Sequence, residues 1–125
     1  MNGITVVTTI TASGEAPLTL NQSFTVEAYD KVNFVLGGLT SRTIAVQPGS
    51  NPGDVPFLAI MAGVYNGAVT YSVDGGPSVV LNAPHIFTGT GQVALLSDTP
   101  NAFTFTNSQT QTVAIQVLCG RSANP

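Results

Sequence analysis

Few side chains in this sequence could do chemistry: one histidine, one cysteine, six carboxylates and three cations. A Ser–His–Asp hydrolase needs an imidazole to take the hydroxyl proton, and His85 is the sole candidate. It stands in NAPHIFTG, after a proline and before a strand-like segment, without G-x-S-x-G or a comparable nucleophile context. The expected role is a turn histidine hydrogen-bonded to nearby backbone. A zinc site takes three or four His, Cys or acidic ligands, and His85 and Cys119, 34 residues apart, do not make one. Cys119 lies in the apolar alternating segment VAIQVLCG and is expected to be a buried core thiol. A reactive cysteine needs a cationic neighbourhood, for which Arg121 alone is thin support.

The acids Glu15, Glu27, Asp30, Asp54, Asp74 and Asp98 are dispersed, with no pair closer than three residues. Glu27 and Asp30 could meet across a strand end, and Asp74 or Asp98 could help hold calcium through loop carbonyls. No D-x-D-x-D cluster supports that, so they read as turn formers. Paired carboxylates for glycoside cleavage are not excluded by spacing, but there is no tryptophan to form a sugar platform. The glycine pairs 37–38 and 75–76 follow strands and precede no helix start, so they are turns and not phosphate cradles. The sequence therefore predicts no enzyme, with no catalytic, cofactor-binding or metal-binding residues.

The elements around these residues read as strands throughout. Signals recur every 8 to 12 residues with turn residues between them, the pattern of a sandwich or barrel. Strands are predicted at 3–12, 18–29, 31–36 and 42–47, with a division at Tyr29–Asp30 and a turn at Gly37–Gly38. The segment 48–54, PGSNPGD, is a loop by composition. Residues 55–63, VPFLAIMAG, form the most apolar run and suit one strand buried on both faces, or a short helical turn. Segments 68–73 and 78–82 flank Asp74-Gly75-Gly76-Pro77, the most secure hairpin signal, because Asp-Gly supplies the positive φ angles of a tight turn. Further strands are predicted at 85–88, 92–97, 102–106 and 111–119, followed by a frayed tail at 121–125. The fold class is all-β, an antiparallel β-sandwich, jelly-roll-like or a distorted barrel, of about 8–10 short strands in one domain over 1–125. VNFVLGG at 32–38 and AIQVLCG at 114–120 echo one another, as a duplicated Greek-key unit or two strands meeting the same packing demands would.

Charge sets this chain apart. Only 7% of its residues are charged, against about 25% in an ordinary soluble domain. Edge strands are normally kept from pairing by lysine and scattered acids, yet Lys31 is the single lysine. Thr, Ser, Asn and Gln make up about a third of the chain and suit neutral hydrogen-bonded contacts between subunits. A net charge of −3 and three cations, Lys31, Arg42 and Arg121, cannot form the basic stripe that nucleic acid requires. No apolar run reaches the 18 residues of a membrane span, and the first residues alternate instead of forming a charged and then apolar leader. The sequence thus predicts neither a nucleic-acid nor a membrane partner.

What remains is surface. Phe57, Leu58, Ile60 and Met61 are either central core or a subunit-contact element, each contributing roughly 1.5–3 kcal/mol when fully buried. The N-terminal strand, with Ile4, Val6, Thr8 and Ile10, is a second contact candidate, because a terminal strand can add to a neighbour's sheet edge or be exchanged with it over residues 1–12.

The short N-terminal strand without a signal, the QPGSNPGD loop, the segment SDTPNAFTFTNSQTQTVAIQVLCG and the shortage of lysine together carry a resemblance in texture over most of the chain. The chain resembles the small all-β structural proteins of tailed bacteriophages, nearest to head decoration (cement) proteins. That resemblance implies a non-enzymatic protein without cofactor, made in the host cytoplasm and carried on the outer capsid surface of the virion. It also implies binding to the major capsid protein and a homo-oligomer, with a trimer favoured. Other readings are a carbohydrate- or surface-binding module of a fibre or spike, marked by exposed Tyr29, Tyr65 or Tyr71, and a filament or shell subunit.

Overall fold

The structure is a computed structural model that describes residues 2–26, 28–46 and 54–121. Most of the 48–54 loop, residue 47 of the predicted fourth strand and residues 122–125 of the tail lie outside the described residues. Ten strands are described: β1 (Asn2–Ile10), β2 (Leu18–Val26), β3 (Ala28–Leu36), β4 (Ser41–Ala45), β5 (Phe57–Ala62), β6 (Val69–Val73), β7 (Val79–Val80), β8 (His85–Thr88), β9 (Ala102–Asn107) and β10 (Val113–Arg121). One helical turn, α1 (Thr90–Val93), separates β8 from β9.

The pairing is nested. β6 pairs with β7, β5 with β8, β4 with β9 and β3 with β10, every pair antiparallel. β10 also pairs with β5, and β9 with β6, so two four-stranded sheets result, β3-β10-β5-β8 and β4-β9-β6-β7. A long hairpin folded over on itself in this way is a jelly roll. The sheets face each other without closing into a barrel. The two echoing segments turn out to be neighbours, since β3 and β10 pair along their whole length.

Period-two alternation places the core. Val69, Tyr71 and Val73 of β6, Phe103 and Phe105 of β9, and Val113, Ile115, Val117 and Cys119 of β10 are all buried. Phe103 and Phe105 stack at 6.4 Å, Tyr71 lies 5.6 Å from Phe105, and Phe34 meets Phe105 edge-on at 5.6 Å. Such aromatic pairs add about 0.5–1.5 kcal/mol beyond the area they bury. As its composition predicts, β5 is buried on both faces from Phe57 to Ile60.

Turn chemistry closes the fold at both ends. Asp74 and Gly75 take φ of 52° and 76°, and the Gly76 N–H donates to the Val73 carbonyl at 2.9 Å, a tight turn of the primed type. At the other end Gly38 is required by close approach, because the backbone of Thr110 occupies the space a Cβ would need. Buried Asn107 sews that end together: its Nδ2 donates to the carbonyls of Gln111, Gly37 and Leu36, and its Oδ1 accepts from Gln109 N–H.

Several predicted elements are corrected. Residues 92–97 are not a strand. Gly89, with φ of 88°, leads into α1, whose Gln92 side chain accepts the Thr88 N–H at 2.6 Å and whose Val93 is buried. Tyr29 and Asp30 do not divide two strands but lie within β3, where Asp30 pairs with Arg121 at 2.8 Å. Arg121 is accordingly the last residue of β10 and not part of a frayed tail.

Candidate functional site

The feature that departs from a plain jelly roll is the hairpin β1–β2. It pairs only with itself, Asn2 opposite Val26 through Ile10 opposite Leu18, and every residue from Val7 to Ser23 is exposed. Directly opposed residues of an antiparallel pair share a face. One face of this arm therefore carries Ile4, Val6, Ile10, Leu18, Leu20 and Phe24, interrupted by Thr8 and Gln22. The opposite face carries Thr5, Thr9, Thr19, Asn21, Ser23 and Thr25, with Val7 its one large apolar residue.

The base of the apolar face is covered by the body. A methyl group on Gly120 would come within 2.6 Å of Ile4 Cδ1 and 3.2 Å of Val26 Cγ1, so the missing side chain is what lets the arm seat on β10. The Phe24 ring lies 6.2 Å from that of Phe57 on β5. Beyond this base the face is bare: Leu18 is 64% exposed, Leu20 56% and Ile10 50%.

The arm seats on the outer face of sheet β3-β10-β5-β8, away from the core. Farther along that face Asn33, Val35, Met61, Gly63, Ala114 and Gln116 line a shallow groove of about 580 Å³. It is concave because Gly63 and Ala114 lie between larger residues, and no charged group lines it.

The predicted contact residues separate accordingly. Ile4 and Val6 are half-buried at the arm base, while Thr8 and Ile10 are exposed on the apolar face. Phe57 is buried beneath the arm, and Met61 lines the groove. Leu58 and Ile60 point into the core with no exposure, so they offer nothing to a neighbour. Strand β1 is not a free terminal strand, because the turn at 11–17 folds it onto β2 of its own chain. Leu18, Leu20 and Val35 were missed as surface residues. The segment TASGEAP, with Gly14 at φ 81°, was the signal that paired the first two strands.

The reactive side chains are held in structural roles. His85 is a strand residue and not a turn residue, and its Nδ1 lies 2.7 Å from the Tyr71 hydroxyl instead of bonding backbone. Burial pushes the Tyr71 phenol up to about 12 and His85 below its ordinary value, which favours a protonated phenol and a neutral imidazole. Cys119 is fully buried. Burial first and the Asp30 carboxylate second push its thiol up to about 12 against the opposing pull of Arg121, and a protonated thiol is a poor nucleophile. Asp74 accepts from Ser97 Oγ at 2.7 Å and from the Ala102 and Asn101 N–H groups, tying the β6–β7 turn to the start of β9. The tyrosines do not gather: Tyr71 is in the core, the Tyr65 hydroxyl accepts the Ala62 N–H, and Tyr29 is exposed on β3. Among the described residues no three of His, Cys, Asp and Glu come together as metal ligands.

Comparison with known proteins gives no matching family model, curated protein or solved structure.

Proposed function

We propose that this chain is a non-enzymatic structural protein that attaches to a protein shell through its arm, and specifically a decoration protein that binds and stabilises a viral capsid. The observation that carries this reading is the arm itself, a hairpin exposed from Val7 to Ser23 that keeps one apolar face. Exposed apolar surface of this kind marks interaction sites, and a segment already paired in register has less chain to order on docking than an unpaired one. Jelly rolls serve in capsid and lectin domains alike, so the fold is compatible with a virion role without fixing it. The scarcity of charge supports contacts made by apolar and neutral polar groups.

The test is co-sedimentation with empty shells of the major capsid protein encoded in the same genome. The full chain should pellet with the shells and raise their thermal disruption temperature. A variant in which Val7–Asn21 is replaced by an Asn-Gly turn, joining the register partners Val6 and Gln22, should stay in the supernatant. Equal binding by both would remove the arm from the account.

A further inference from the structure

The chain holds two Asn-Gly dipeptides, Asn2–Gly3 and Asn66–Gly67, and the fold sets them in opposite situations. We propose that Asn66–Gly67, in the bend between β5 and β6, is a site of self-modification, where the protein's own backbone converts asparagine to aspartate and isoaspartate. The Gly67 nitrogen attacks Asn66 Cγ, and the nitrogen–carbon bond that forms closes a succinimide ring. The Cγ–Nδ2 bond breaks, and Nδ2 leaves as ammonia with the proton that the Gly67 nitrogen gives up. Water then opens the ring at either carbonyl, leaving aspartate or isoaspartate. Nothing is oxidised or reduced, and water is the sole co-reactant.

Three observations place the reaction in this bend. The nucleophile is unencumbered. Both residues are exposed, and no atom beyond the chain neighbours lies within 4 Å of where a Cβ on Gly67 would stand. Among the described residues nothing accepts the Gly67 N–H. The electrophile is prepared. Asn66 Oδ1 accepts the Ala68 N–H at 3.0 Å in a side-chain turn, so a donor already faces the oxygen on which negative charge develops during attack.

The third observation is contrast. Asn2 lies in β1 opposite Val26, with Gly3 opposite Thr25, so closing a ring there requires the ladder to open. The related Asp74–Gly75 step would have to draw the Asp74 carboxylate away from Ser97, Asn101 and Ala102. The product at the bend changes the surface. Asn66 Nδ2 donates to Gln109 Oε1 at 3.0 Å, tying the β5–β6 loop to the β9–β10 loop. Conversion removes that donor and adds a negative charge to a chain whose formal net charge is −3.

The experiment follows the folded full-length chain over time in neutral buffer. Charge-based separation counts acidic species, tandem mass spectrometry locates each change, and peptide chromatography separates isoaspartate from aspartate. Asn66 should convert at least about tenfold faster than Asn2, roughly 1.4 kcal/mol of barrier, with both products present. In urea the ratio of the two rates should fall toward one. Gly67→Ala, which adds a methyl beside the nucleophile, should slow conversion at Asn66 by at least about tenfold. Because Gly67 has φ of 88°, alanine can shift the bend, and Asn66→Gln supplies a second variant. Its longer side chain moves the amide out of reach of the ring, so the early acidic species should vanish while circular dichroism stays unchanged. Asn66 that converts no faster than Asn2 in the folded chain, a rate ratio that unfolding leaves unchanged, or aspartate without isoaspartate would overturn the assignment. An early acidic species that persists in Asn66→Gln would overturn it as well.

Discussion

Individual residues in this chain act as ties, and the least abundant types hold the most specific positions. Asp74 both adopts the left-handed backbone of its turn and accepts three hydrogen bonds from Ser97, Asn101 and Ala102. Asp74→Ala should lower unfolding free energy by about 1–3 kcal/mol in urea titrations, and Asp74→Asn by less, because asparagine keeps the backbone preference and an acceptor. Equal losses would show that the carboxylate ties count for nothing. His85 makes a second prediction. Its folded value lies below 6.5, so the unfolded chain binds the proton more readily and stability falls as pH drops from about 6.5 through the folded value. An NMR titration should find the His85 midpoint below 6.5, because burial disfavours the charged ring; a native midpoint at or above 6.5 would contradict this. At this scale the sequence was partly legible. Cys119 shows its burial in its alternating neighbours, whereas the Tyr71–His85 bond joins β6 to β8 and no local pattern announces it.

Elements show why the arm was harder to read than the body. Alternation reports that two faces of a strand differ, not what covers the apolar one. Residues 3–12 and 18–29 therefore read as β-sandwich strands, and only the mutual register of β1 and β2, with no third strand beside them, reveals a projecting hairpin. The run Gln92–Ser97 failed for the opposite reason: its apolar residues suit a strand, but one helical turn after Gly89 already buries Val93. The edges are guarded more than the charge count suggests. Lys31 lies on edge strand β3, and Arg42, on edge strand β4, stands over the Phe34 ring at 4.9 Å across the open side of the sandwich. Because every residue from Val7 to Ser23 is exposed and the hairpin pairs only with itself, replacing Val7–Asn21 with a tight turn should change the unfolding free energy of the body by less than about 1 kcal/mol. Gly120→Val should behave differently, since its side chain collides with Ile4 and Val26 and should unseat the arm, visible as lost protection of β1 and β2 amides in hydrogen exchange. Unchanged protection there would mean the arm base is not seated on β10.

For the molecule as a whole, the jelly roll is a platform and the arm is what distinguishes it. The body satisfies its own core and turns, while the arm and the outer sheet face leave apolar side chains exposed. With 7% charged residues, attachment should weaken little between about 0.05 and 0.5 M salt, because screening has few pairs to act on. A steep salt dependence would point to a charged partner surface. The all-β class followed from strand spacing and the jelly roll from nested pairing, but the partner is written in no local motif. The most direct measurement is the fraction of chain that pellets with capsid shells, full arm against shortened arm, at equal concentration. The account predicts saturable binding by the full chain and none by the shortened one, with both chains folded. Binding that survives loss of the arm, or a full chain that stays in the supernatant at every concentration, would contradict it.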